Sequence, residues 1–132
     1  MPAFGPFVAV GGGAAIGAWL RWGLGVALNP LFPTLPLGTL AANLIGGLLM
    51  GFAMELITRH AMLSPELRLL VTTGFLGGLT TFSTFSAEIT TLLTRGDWYW
   101  AGVGVFAHVA GSVIMTITGI LLMRALFAWG VS

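Results

Sequence analysis

The sequence predicts an all-α integral membrane protein with four transmembrane helices, the third broken mid-span, assembled as an antiparallel dual-topology homodimer. Three observations predict it. Hydrophobic residues make up 57% of the chain against 7% charged, with a mean hydropathy of +1.00, which leaves no polar shell for a water-soluble domain. Crossing about 30 Å of hydrocarbon takes roughly 20 mostly apolar residues, so 132 residues have room for about four spans and little else. The arginines divide almost evenly. With both termini on one side, that side carries Arg59, Arg68 and Arg124, and the other carries Arg95 plus Arg21 near the end of the first span. So small a bias sets no firm orientation, and such a chain inserts both ways and pairs with its inverted copy unless a further factor fixes its direction.

Span one is expected over residues 4–28, ended by Asn29-Pro30 and the proline-rich LFPTLP, which suits a short interfacial turn. It carries no basic n-region and outruns a signal peptide, so it is expected to be retained. Span two covers residues 37–57, its end marked by Glu55, Arg59 and His60. Span three covers residues 66–94, with Ser64 as N-cap and Pro65 at the first helical position. A break is expected near residues 77–81, where Gly77-Gly78 precedes Leu79-Thr80-Thr81. Arg95-Gly96-Asp97 reads as a tight polar turn, and span four runs over residues 98–123 before Arg124. Trp98, Tyr99 and Trp100 at one end and Trp129 at the other suit an interfacial belt. Together these make one membrane domain over residues 1–132.

Small residues recur every four positions: Gly13 and Gly17 in span one, Gly38, Ala42 and Gly46 in span two with Gly47 and Gly51 beside them, and Gly104, His108, Ser112 and Thr116 in span four. Such rows let helix backbones approach closely in lipid, where no hydrophobic drive exists between helices. Tight packing explains most of the 20 glycines but not the polar members of the rows.

Several functions are excluded. A net charge of +1 offers no basic patch for nucleic acid, and the absence of cysteine removes disulfides, thiolate metal sites and thiol nucleophiles. No nucleophile, base and orienting group occur together at usable spacing, so the chain is not expected to be an enzyme.

Ionisable and polar groups at membrane depth are costly and tend to mark a site or pathway. Arg21 lies near a span end, where anchoring by snorkelling and a functional role are both open. Asn43 falls one turn after Thr39 and one turn before Gly46 and Gly47, beside a close helix contact, where an interhelical hydrogen bond is the simplest use of its amide. A break in span three frees backbone carbonyls and amides that lipid cannot satisfy. Carbonyls of that kind coordinate small cations such as Na⁺, although Ser and Thr hydroxyls alone can also repair the ladder.

Beyond the break, Phe82 and Phe85 stand one turn apart on one face, interleaved with Thr80, Thr81, Ser83, Thr84 and Ser86, and Thr84 to Glu88 is an i to i+4 step. Two aromatics among hydroxyls suit a narrow track. A ring edge carries partial positive charge and faces a small anion without trapping it, while N–H and O–H donors replace its water. His108, Ser112 and Thr116 form a second polar stripe that would complete a donor-lined path, with His108 also readable as a satisfied interior histidine.

Three segments carry a resemblance: GGAAIGAWLRW over residues 12–22, GTLAANLIGG over 38–47 and GFLGGLTTFSTFSAE over 74–88 resemble the signature segments of the Fluc (CrcB-like) fluoride channels. The resemblance covers the whole chain, with span four the loosest match. It implies an antiparallel homodimer in the cell inner (plasma) membrane, exporting fluoride passively from the cytoplasm through two pores and relieving the toxicity that follows when acid surroundings drive HF inward. It implies that Phe82 and Phe85 line the fluoride path by their ring edges, with Asn43 of the other subunit as an amide donor. It implies that Gly77 and Thr80 offer backbone carbonyls to a central structural Na⁺ on the dimer axis, two from each chain. Arg21 would sit at the aqueous vestibule and raise the local anion concentration. Ser83, Thr84, Glu88, Ser112 and Thr116 would form a polar track, in which the Glu88 carboxylate repels fluoride unless protonated or paired. The alternative is a proton-coupled small four-span antiporter. That class requires a membrane-embedded glutamate in the first span, where this chain has only Arg21.

Overall fold

The computed structural model describes residues 4–130, in which there are helices, turns and irregular connections and no strand. Helix α1 (Phe4–Leu28) runs into a single 3₁₀ turn, Asn29–Leu31, and the prolines that follow bring the chain to α2 (Leu37–Arg59). The first N–H groups of a helix have no partner within it. Asn29 supplies one from a distance: its Oδ1 accepts from the N–H of Gly38 at 2.8 Å and of Thr39 at 3.3 Å.

The segment that follows is interrupted twice. Ser64 caps α3 (Pro65–Leu69), its Oγ accepting from the Leu67 N–H at 3.2 Å. The chain then widens into a π-helical stretch, Leu70–Leu76, tightens again in α4 (Gly77–Leu79), opens, and resumes as α5 (Ser83–Thr94). Gly96, at φ 81°, turns it into α6 (Trp98–Trp129), which continues past Arg124. Among the described residues three helices are long and apolar enough to cross a membrane: α1 with its 3₁₀ turn, α2 and α6.

Gly77-Gly78 is itself helical, and the opening lies just beyond it, at residues 80–82. The two glycines do different work. A Cβ on Gly78 would strike the Ala14 carbonyl, and one on Gly74 would come within 2.8 Å of the Val10 carbonyl, so both seat this segment on α1. Gly77 faces outward and is exposed.

The helices pair by backbone proximity. Gly13 and Gly17 face the backbone of residues 70–79, while Gly47 and Gly51 face the Ser112 and Thr116 carbonyls of α6. Side chains at these positions would force the helices apart and forfeit the dispersion contacts that hold helices together in lipid. The core is correspondingly small: Ala42, Ala53, Leu76 and Leu79, with Leu24, Leu49, Met50, Val71 and Phe75 packed around them. Large apolar side chains such as Phe7, Trp19, Phe106 and Leu121 point outward, as lipid-facing positions do. At one end Glu55 binds Arg59 at 2.8 Å and Arg124 at 3.0 Å, tying α2 to α6.

Candidate functional site

The site is built around the opening in the third segment. Thr80 closes α4 with two bonds to the Leu76 carbonyl, from its N–H at 3.0 Å and its Oγ1 at 2.8 Å, and then turns extended at ψ 156°. The next peptide unit is held by a side chain of α2. Asn43 Oδ1 accepts from the Thr81 N–H at 2.8 Å, and Asn43 Nδ2 donates to the Thr81 carbonyl at 3.0 Å. One amide thus stands in for the missing helical partners, which satisfies the rule that irregular backbone at membrane depth must find its bonds within protein or water.

The opening also redirects two donors. The Thr81 N–H would serve the Gly77 carbonyl in a continuing α-helix, and it goes to Asn43 instead. The Thr84 N–H would serve the Thr80 carbonyl, and it donates to Thr81 Oγ1 at 3.1 Å. Gly77 and Thr80 are therefore two of the positions at the opening where a carbonyl is relieved of its helical donor. Between them, the Gly78 carbonyl accepts from Arg21 Nε at 2.9 Å. Arg21 is thus drawn in from the end of α1 toward the opening and is not a loop charge.

On the other side of Asn43 lies an aromatic cluster. Asn43 Nδ2 is 2.9 Å from His108 Nδ1; the His108 ring lies against Phe85 with centroids 4.5 Å apart, and Phe85 meets Phe82 edge-on at 5.5 Å and 71°. Phe85 is buried, whereas Phe82 is 76% exposed in the single chain. A cleft of about 420 Å³ brings together Asn43, Thr80, Phe82, Phe85, Ser112 and Thr116, with His108 in its wall. A second cleft, about 510 Å³, holds Arg21, Thr39, Thr81 and Thr84, so that Thr81 lines both.

Two expected track residues lie apart. Glu88 accepts from Thr39 Oγ1 at 2.6 Å and faces a different cleft with Thr91, Arg95 and Asp97. Ser83 is exposed at the start of α5 and lines none of these clefts. The Thr116 hydroxyl is turned back to the Ser112 carbonyl at 3.0 Å. A groove of about 740 Å³ between α5 and α6 has only apolar side chains and the Trp98 ring around it, so nothing there orients a polar solute.

Residues 8–120 match the family described as CrcB-like protein, Camphor Resistance (CrcB). The chain belongs to the CrcB-like family. Among its curated relatives, a protein of Nitrosospira multiformis named fluoride-specific ion channel FluC is 62% identical over 88% of this chain and 91% of its own length. Proteins of the same name from Aromatoleum aromaticum and Thiobacillus denitrificans are each 58% identical, over 93% and 91% of this chain and 92% and 97% of their own lengths.

Within this CrcB-like chain, four contacts at the site were not read from the sequence. Thr39 as the partner of Glu88, Asn29 as the remote cap of α2, and Arg21 on the Gly78 carbonyl all depend on how helices cross. The fourth is His108 Nδ1 against the Asn43 amide. Its i to i+4 spacing with Ser112 signalled a polar stripe but not which ring nitrogen would be used. No group of three or more His, Cys, Asp or Glu side chains able to hold a metal occurs among the described residues.

Proposed function

We propose that this CrcB-like chain is a fluoride-selective passive channel of the cell inner membrane that lets fluoride leave the cytoplasm. The observation that carries this is 62% identity, over 88% of the chain, to a protein named as a fluoride-specific ion channel. The site's chemistry suits it. Phe82 and Phe85 offer ring edges, and Asn43, Thr80, Ser112 and Thr116 line the same cleft without a deep cationic trap, the Asn43, Thr80 and Thr116 donors serving acceptors of the chain for which a small anion would compete. Arg21, held on the Gly78 carbonyl in the adjoining cleft, supplies positive potential at the approach. Thr84 lies in that approach, whereas Ser83 and Glu88 stand outside both clefts.

In this proposal residues 66–94 form the interrupted third span, which brings the number of spans to four, and the working unit is an antiparallel homodimer with two pores. Phe82 is exposed in the single chain, as a pore element shared across an interface would be. The Gly77 and Thr80 carbonyls, each relieved of its helical donor, make half of a carbonyl cage for Na⁺, which a second copy completes.

Purified protein in liposomes loaded with fluoride tests this. A passive channel gives fast efflux that builds a membrane potential and needs a shunting ionophore. Slow efflux that follows an imposed pH gradient would rule for a proton-coupled antiporter instead. Replacing Na⁺ with a large organic cation during purification should lower flux and loosen the dimer on size exclusion; no change in either removes Na⁺ from the proposal.

A further inference from the structure

A backbone N–H can only donate, so it is the oxygen of the Asn43 amide that faces the Thr81 N–H at 2.8 Å. This fixes the amide nitrogen toward the Thr81 carbonyl at 3.0 Å and His108 Nδ1 at 2.9 Å. An amide nitrogen has two hydrogens and accepts nothing; both are spent, and His108 Nδ1 has to be the acceptor. The imidazole is then neutral, with its proton on Nε2. His108 is 3% exposed, Phe85 covers its ring, and Nε2 finds no partner among the described residues. The opposite tautomer would set one N–H against another at 2.9 Å while still leaving Nε2 alone, so the Nε2–H form is the better satisfied of the two.

We propose that His108 is a positioning residue of the anion path: the Nδ1 lone pair holds the Asn43 amide in the one orientation that closes the broken segment onto Thr81. The proposal rests on the channel function above. Remove that lone pair and one amide N–H of the half-buried Asn43 is left without its acceptor, free to seek another by turning away from the Thr81 peptide. The opening is then no longer clasped from α2, and Phe82, the next residue along, loses its register against Phe85. Asn43 acts on the break, and His108 acts on Asn43.

Ring nitrogen chemistry and flux together test it. The chain has two histidines, and His60→Gln leaves one for ¹⁵N-histidine NMR in lipid nanodiscs. The expected spectrum has a protonated Nε2 and a bare Nδ1, and Asn43→Ala should mix the tautomers. A ring protonated at Nδ1 at neutral pH, or one unmoved by Asn43→Ala, overturns the proposal without any flux measurement.

In liposomes, His108→Asn, whose oxygen can occupy the place of Nδ1, should stay within about threefold of wild type, while His108→Ala should fall by about tenfold or more, as expected for a half-buried donor left unpaired. A conducting wild type in which the two variants fail alike overturns the role of His108 alone. A wild type that carries no fluoride overturns the channel function, and this role with it.

Discussion

Phe82 and Phe85 stand one turn apart and touch edge to face, yet one is buried against His108 and the other is 76% exposed. That asymmetry separates two effects a substitution would otherwise mix. Phe82→Ile keeps most of the apolar volume and gives up only the edge contact of an exposed ring with Phe85, so helicity and thermal stability in detergent should stay close to wild-type values. It removes the ring edge from the cleft, and fluoride flux should fall by at least about tenfold if that edge replaces water around the anion. Undiminished flux would remove Phe82 from the path. The pair was legible in the sequence because i and i+3 share a helix face and hydroxyls crowd around them. Their different burial was not, since it depends on how α6 lies across α5. Asn43 is a similar case. An amide at membrane depth beside a close contact predicts an interhelical bond, but that it would hold a peptide unit with both ends depends on where the opening falls.

Helix contacts follow the small-residue rows, and the rows were the most legible part of the fold. Spacing of four puts Gly47 and Gly51 on one face of α2, and the structure seats that face on the Ser112 and Thr116 carbonyls. The break expected near residues 77–81 lies at residues 80–82: Gly78 is used for approach to α1, and the helix opens where Asn43 and the Thr81 hydroxyl replace its ladder. Glycines that carry a close approach should therefore be separable from those that do not. A Cβ on Gly51 would strike the Thr116 carbonyl, whereas one on Gly12 would meet nothing within 4 Å. Gly51→Ala should cost about 1–3 kcal/mol by overpacking, read as a lower unfolding temperature in detergent, and Gly12→Ala should be neutral or slightly stabilising as a better helix former. Equal effects at the two positions would mean that α2 and α6 are not held by backbone proximity.

At the scale of the whole molecule, the structure changes what supports antiparallel pairing. Arg21 binds the Gly78 carbonyl and so leaves the loop count, which becomes Arg59, Arg68 and Arg124 at one end against Arg95 at the other. Two of those three share Glu55, but orientation follows Lys and Arg number and not net charge, so the sequence bias is larger than it first reads. The weight moves to Phe82, exposed in the single chain, and to the cation role proposed for the Gly77 and Thr80 carbonyls. Pairing with an inverted copy has a direct measurement, because the chain has no cysteine of its own. Met62, between α2 and α3, is 98% exposed, so Met62→Cys should fold normally and give a single reactive thiol. In sealed vesicles an antiparallel population presents this loop on both faces, and a membrane-impermeant maleimide should label about half of it until the vesicles are opened. Labelling that is complete or absent before opening would mean one orientation. The Gly77 and Thr80 carbonyls would then have no inverted partner to complete them, and the central Na⁺ would fall with the antiparallel dimer.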